Sequence, residues 1–343
     1  MDSNRRDFMK WGGLTAAAVS TGTGLTVAGA PPAEAATAPA NRPRGMAKGL
    51  TLLQTLRDGR PRLALKTAKG IVDVADAAKL LNMPGPSTLD DLLQNEDGPQ
   101  LNALASALDK AGNAAALYTP ENGVAYAPLV TRPGKILCVG LNYKAHIAEI
   151  KDNLPKQPVL FNKYNSALHP HGAPLKLPTA VATKFDYEAE LVILMGKHAR
   201  DVSEADALSY VAGYATGNDF TARDLQLETG GQWMVGKALD GFAPIGPYFV
   251  TADQVNPDAL DIECRVNGET RQSSNTANMI FSCRQMISYI SHRITLEPGD
   301  IIYTGTPEGV IQGMPKEKQK WLVPGDKIAC SLKGLGELTF SLT

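Results

Sequence analysis

The chain has 343 residues, with 34 Lys and Arg against 35 Asp and Glu and a formal net charge of −1. Its 43% hydrophobic and 20% charged residues describe an ordinary globular chain, long enough for one large domain or two unequal ones. The balanced charge and the lack of a basic stripe give no footing for a nucleic-acid binder, and no stretch is apolar and long enough for an ordinary membrane span.

The first segment reads as a targeting signal. Asn4 to Lys10 carries the adjacent Arg5 and Arg6 with Phe8 and Lys10, and a weakly apolar run from Trp11 to Ala30 follows. Small residues come next, Ala33-Glu34-Ala35 and Ala38-Pro39-Ala40. This order of charged, apolar and small-residue regions belongs to a secretory signal and not to a structural helix. The paired arginines make it resemble a twin-arginine signal, the type that exports already folded proteins. Residues 1–35 are therefore set apart from the fold, with cleavage near 35–40 and a periplasmic or otherwise exported destination. Cys138, Cys264, Cys283 and Cys330 lack metal-like spacing; export permits a disulfide, but the sequence does not pair them.

Residues 46–128 alternate short strands with tight turns, for example Leu50–Leu56, then Asp58-Gly59-Arg60-Pro61, then Arg62–Lys66. Ser87-Thr88-Leu89-Asp90 opens a helix, and Pro99–Lys110 forms another. No catalytic residue types cluster here, so the segment reads as a small α+β N-terminal domain, structural or dimer-forming. The Pro-, Gly- and Asn-rich stretch from Tyr118 to Pro133 reads as a linker. Residues 133–343 then carry many strands, among them Ile136–Gly140, Val159–Asn162, Tyr187–Met195 and Ile301–Tyr303. Helices are few, near Tyr143–Ile150, Ser203–Leu208, Thr221–Thr229 and Ser282–His292. The class is α+β with strands dominant.

Within the Tyr187–Met195 strand, alternation sends Glu188 and Glu190 to one side and Tyr187, Ala189 and Leu191 to the other. Two carboxylates entering an apolar strand repel each other and lose hydration, and a hard divalent cation would compensate. Read alone, the stretch fits a solvent-facing edge strand equally well. Asp219, Arg223 and Gln226, at i, i+4 and i+7, would share one helix face, as an ordinary surface Asp–Arg pair also would. His146 and Glu149, at i and i+3, form either an exposed pair or a base for water. Lys237 follows an apolar run and is either a surface lysine or one buried beside an anion. In Thr304-Gly305-Thr306-Pro307 hydroxyls and N–H groups either converge on a carboxylate or simply form a tight turn.

Taken in order and at their spacing, these motifs resemble the fumarylacetoacetate hydrolase family from Lys135 to the C-terminus. They are Asn142-Tyr143 with His146 and Glu149, Tyr187-Glu188-Ala189-Glu190-Leu191, Asp219 to Gln226, Lys237, and Thr304 to Pro307. The resemblance implies a mixed β-sheet roll holding Mg²⁺ or Mn²⁺ on Glu188, Glu190 and Asp219, and no fourth acidic ligand stands near Asn142. It implies a homodimer acting on a 2-oxo or 2,4-dioxo acid, with a His146–Glu149 base on a mobile lid helix. Lys237 would stabilise oxyanionic charge and Gln226 would position water or substrate. Arg223 and Thr306 would stand on the substrate side, Thr306 on its carboxylate and Arg223 as support. The activity implied first is hydrolysis of a C–C bond in an acylpyruvate-like acid through a metal-bound enolate. Isomerase, decarboxylase and dehydratase relatives use the same site, and a non-catalytic exported 2-oxo acid binder is the reading of another class.

Overall fold

The computed structural model describes residues 42–343, so the signal segment lies outside the described residues. Pro43–Thr343 is one compact unit. It opens with an antiparallel meander, β1 (Thr51–Arg57), β2 (Arg60–Thr67) and β3 (Gly70–Asp73). The β1–β2 turn places Asp58 and Gly59 at φ 52° and 72°, a left-handed pair that suits tight hairpins. Three helices follow, α1 (Val74–Leu81), α2 (Leu89–Gln94) and α3 (Gly98–Lys110). Asp73 and Thr88 cap the first two by accepting from backbone N–H groups of the first turn.

The remaining chain supplies β4 (Ile136–Gly140), α4 (Lys144–Ile150), β5 (Val159–Lys163), β6 (Leu168–His169), β7 (Pro174–Leu175), β8 (Phe185–Asp186) and β9 (Ala189–Met195). Next come β10 (Val211–Asn218), β11 (Thr221–Ala222), α5 (Arg223–Glu228), α6 (Met234–Lys237), β12 (Ala243–Pro244) and β13 (Phe249–Thr251). The last elements are β14 (Asp261–Val266), β15 (Glu269–Asn275), α7 (Cys283–Ser291), β16 (Ile301–Tyr303), β17 (Lys327–Leu332) and β18 (Gly336–Leu342). The protein is α+β and strand-rich, as the sequence led us to expect.

Two sheets dominate. The larger has nine strands in the order β3-β2-β1-β13-β10-β9-β16-β4-β5, antiparallel except for the parallel β16–β4 pair. The smaller runs β15-β14-β17-β18-β7. Strand periodicity divides the interior into two cores. Leu191, Ile193 and Met195 of β9 join a core that contains Ile262, Cys264, Cys330 and Phe340 of the small sheet. Val192 and Leu194 point the other way, into a core with Val74, Ala77, Leu101 and Leu104 of the N-terminal helices. Because β9 is covered on both faces, it reads as one continuous apolar run.

Several elements differ from the sequence reading. The 46–128 segment extends the main sheet, since β1 pairs with β13 through Thr51–Val250 and Leu52–Phe249. The stretch read as a linker runs along that meander, bridging Thr119 to Ile71 and Tyr126 to Thr55. The expected helix at Ser203–Leu208 is a 3₁₀ turn over Ala207–Tyr210. The strand expected from Tyr187 breaks there: Glu188 N–H donates to the Asn218 side chain (3.2 Å) and its carbonyl accepts from Asp219 N–H (2.9 Å), so the regular ladder begins at Ala189.

Gly213 sits where β13 docks onto β10, and an added Cβ would be driven into the Val250 carbonyl and the Phe249 ring. Gly213→Ala should lower stability by about 2 kcal/mol or more through overpacking. Gly112→Ala, with nothing within 4 Å of the new Cβ, should leave it nearly unchanged. Urea unfolding of the two variants measures the difference.

Candidate metal centre

The centre of the site is a group of three buried carboxylates. Glu188, Glu190 and Asp219 each offer an oxygen within 4.8 Å of the others. The β9–β10 register explains this convergence. Glu190 pairs with Gly217 and Ala189 with Asn218, so Asp219, one step past the end of β10, arrives beside Glu188. Alternation then places Glu188 and Glu190 on the same side, away from the core that takes Tyr187, Ala189 and Leu191.

Asp219 does not ride on the helix that bears Arg223 and Gln226. The chain leaves β10, pairs briefly as β11 with β8, and turns helical only at Arg223. Phe220, fully buried against Phe242 with ring centroids 4.9 Å apart, holds the segment extended where a helical turn was expected. Gln226 is still brought in, because its Oε1 accepts from Arg223 (3.0 Å) across one turn of α5.

Three basic side chains face the acids. Lys237 reaches Glu188 Oε2 at 2.6 Å and Asp219 Oδ2 at 2.7 Å. Arg223 clamps Glu188 Oε1 at 2.6 Å and Asp186 Oδ2 at 2.8 Å. Lys163, the last residue of β5, contacts Asp219 Oδ1 at 2.6 Å and donates to the carbonyls of Phe220, Phe242 and Lys237. The sequence reading missed Lys163. Its only available signal was a lysine closing a strand, which usually means a solvated end.

Among the described residues no ion pair reaches Glu190, whose Oε2 accepts from Gly305 N–H at 2.7 Å. Burial, then repulsion from Asp219 and Glu188, pushes its carboxyl well above the usual range. Glu188 goes the other way, to about 2: burial opposes its charge, but Lys237 and Arg223 outweigh that penalty. Four acids, Asp186 included, face three cations, and Glu190 is the acid without an ion pair, so ionising it would leave a charge uncompensated. An all-oxygen donor set with one unpaired carboxylate fits a hard divalent cation such as Mg²⁺ or Mn²⁺.

Opposite the carboxylates, in the same small cavity, lies His146 on α4, with Gln226, Lys237, Trp233 and Phe161 also in the wall. His146 Nδ1 bonds to Glu149 Oε1 at 2.8 Å, and Glu149 Oε2 accepts from Gly309 N–H at 2.9 Å. The helix expected to serve as a mobile lid is thus docked against the 309–313 loop. That loop is held by the residues just before Glu188. Asp186 accepts from Ile311 and Gln312 N–H at 2.9 and 3.1 Å, and Tyr187 donates its hydroxyl to the Gly309 carbonyl at 2.8 Å. Thr306 also lines the cavity, but its hydroxyl donates to Ala189 O (2.9 Å) and accepts from Gln272 (2.8 Å), so it is committed to the sheet. Arg223 is likewise committed to acids and braces the site.

With fold and site in view, residues 135–343 match the family described as fumarylacetoacetate (FAA) hydrolase, C-terminal. The chain belongs to the fumarylacetoacetate hydrolase family. Residues 2–22 match the twin-arginine translocation signal, which marks the chain for export. A fumarylacetoacetate hydrolase domain-containing protein 2 homolog of Dictyostelium discoideum is 37% identical over 305 residues, covering 86% of this chain and 96% of that protein. A mitochondrial oxaloacetate tautomerase of Rattus norvegicus is 41% identical over 218 residues, 63% of this chain and 69% of the relative. The crystal structure of a Pseudomonas aeruginosa fumarylpyruvate hydrolase with Mn²⁺ and pyruvate superimposes with a TM-score of 0.56 at 36% identity, covering 62% of this chain and 91% of the other. The protein is thus an enzyme of a family whose members include a hydrolase and a tautomerase.

The unpaired Glu190 gives a signed pH prediction for the metal-free protein. An unfolded glutamate ionises near its ordinary value, whereas the folded one keeps its proton to higher pH. The folded state therefore binds the extra proton in that window, and stability falls as pH rises through it. Glu190→Gln should remove this slope and abolish Mn²⁺ binding. In the native protein Mn²⁺ must displace the proton, so its affinity should rise with pH, by up to about tenfold per unit in that window. Thermal melts and titration calorimetry in buffers of different ionisation enthalpy check both expectations.

Proposed function

We propose that this protein is an exported, divalent-metal-dependent hydrolase that cleaves a C–C bond in a short 2,4-dioxo acid of the acylpyruvate type. The observation that carries the reading is the pairing, in one cavity, of the acidic cluster with a His146–Glu149 couple already set at 2.8 Å. A divalent cation on Glu188, Glu190 and Asp219 would supply Lewis-acid stabilisation of the negative charge developing on the substrate's C2 oxygen.

The chain's own groups do the rest. With Nδ1 engaged by Glu149, His146 has Nε2 left to take a proton from water, and Glu149 steadies the imidazolium that forms. The hydroxide equivalent attacks the C4 carbonyl, the C3–C4 bond breaks, and His146 returns the proton to C3. One water and one acylpyruvate become pyruvate and a carboxylic acid. Lys237 stays cationic: burial works against its charge, but Asp219 and Glu188 more than restore it, so it balances negative charge in the cavity. Gln226 orients water or substrate, and Arg223 keeps Glu188 and Gln226 in place. A cavity of ≈ 90 Å³ walled by Phe161 and Trp233 suits a short acid.

A second reading is keto–enol tautomerisation, in which His146 moves a proton at C3 and no water is added. The 41% identical oxaloacetate tautomerase supports it.

With Mn²⁺ and an acylpyruvate, Glu149→Gln and His146→Ala should each lower kcat by about 10²–10⁴-fold while leaving Mn²⁺ affinity intact. NMR identifies the products. Pyruvate and a carboxylic acid in equal amounts support hydrolysis. Exchange at C3 of oxaloacetate with no cleavage of any acylpyruvate would replace it with the tautomerase reading.

A further inference from the structure

Behind the metal centre, on the opposite face of β9 and β10, two cysteines meet. Cys264 on β14 and Cys330 on β17 are directly opposite in the antiparallel register. Both are fully buried, and their sulfurs are 3.6 Å apart. Directly opposed antiparallel residues have Cα atoms about 4.5–5.5 Å apart, inside the range of about 4.4–6.8 Å that a disulfide spans. Closing the bond brings the sulfurs from 3.6 Å to about 2.05 Å. Among the described residues no sulfur–sulfur contact is recorded for Cys138 or Cys283, so this pair stands apart.

The second observation is the destination of the chain. The twin-arginine match at residues 2–22 marks a protein that crosses the membrane already folded. It folds where thiols are kept reduced and is delivered to where disulfides persist. We propose that Cys264 and Cys330 are a modification site, joined after export into a cross-strand disulfide by a disulfide oxidant.

The step balances as a thiol–disulfide exchange. One cysteine, deprotonated, attacks a sulfur of the oxidant and expels one thiolate, giving a mixed disulfide. The second cysteine attacks that mixed disulfide and expels the other. Two hydrogens leave the protein with two electrons, and the oxidant departs as two thiols. Burial suppresses the thiolate at Cys264, and its Cys330 neighbour adds to this, so exchange waits on transient opening of the sheet and is slow.

The bond would staple the small sheet one side chain away from the ligands. Asn218 donates its Nδ2 to Cys330 Sγ at 3.2 Å and accepts Glu188 N–H on its Oδ1, also at 3.2 Å. Asp219 is the next residue. Cys264 also lies opposite Gln272, whose side chain holds Ala189 N–H and Thr306. Fixing β14 to β17 therefore steadies the backing of both β9 and the 304–307 loop.

The test compares the full chain after export with an Arg5→Lys, Arg6→Lys chain retained in the cytoplasm, each unfolded in denaturant that already contains excess alkylating agent, so that buried thiols are trapped as they become exposed. Peptide mass analysis of the exported protein should show Cys138 and Cys283 alkylated, with Cys264 and Cys330 in one linked pair lighter by two hydrogens. The retained chain should show four alkylated cysteines. The exported form should melt about 5 °C or more above the same protein after reduction. Cys330→Ser, which keeps the volume nearly constant, should abolish that difference. Four free thiols in the exported protein, or a bond from Cys264 or Cys330 to Cys138 or Cys283, overturns the proposal.

Discussion

The constraint on which the rest of the site depends is mutual repulsion among carboxylates taken out of water. Glu188, Glu190 and Asp219 are each at most 5% exposed, and their oxygens lie within 4.8 Å of one another. Unpaired, such a cluster would not stay charged in a protein interior. Lys237 bridges two of the three, Arg223 and Lys163 take the remaining oxygens of Glu188 and Asp219, and Glu190 receives a single backbone N–H. The protein thus neutralises its own acids almost completely and leaves the deficit at one position. That residual deficit is what a bound divalent cation would offset. Removing Arg223 would leave the buried Asp186 without its cation, a loss of roughly 3–5 kcal/mol for pairs of this kind, whereas Glu188 and Asp219 would each keep a second cation after losing one.

The six residues Phe185 to Glu190 connect that electrostatics to the His146–Glu149 couple. Asp186 holds the backbone of Ile311 and Gln312, Tyr187 holds Gly309, and Gly309 holds Glu149, which orients His146. Glu188 and Glu190 face the cavity, while Ala189 is gripped by Gln272 and Thr306 from the opposite side. Strand alternation therefore assigns ligands to one side and scaffolding to the other. A displacement of this segment would move the carboxylates and His146 together, so the distance between them is set by one short piece of chain.

What was legible in the sequence follows from the range of each interaction. Alternation along 187–191 is local, and it placed Glu188 and Glu190 correctly even though the ladder starts two residues late. The His146–Glu149 pair depends on one helical turn, and it too was readable. Asp219 was assigned to a helix face because Asp219, Arg223 and Gln226 have helical spacing. The structure instead uses a long-range strand pairing with Phe185 and Asp186 to delay the helix. The N-terminal segment looked separable for a related reason: its strands alternate normally, and nothing within it reveals that β1 will meet β13 some 200 residues later. Pairings that join distant strands leave almost no trace in local pattern.

Lys163 shows the limit most clearly. In sequence it is an ordinary lysine after Phe161-Asn162, indistinguishable from the many solvated lysines of this chain. In the structure it is 3% exposed, and three carbonyls together with Asp219 surround its ammonium. Those carbonyls belong to Phe220, Lys237 and Phe242, which lie just before β11, at the end of α6 and just before β12. A cation that satisfies all of them at once does more than offset one acid, because it ties the β5 end to the α6 and β11 segments that carry Lys237 and precede Arg223. The side of the site that carries Asp219 and Lys237 is thereby held by Lys163, and the precision of the site rests on that fixed frame as much as on the carboxylates themselves.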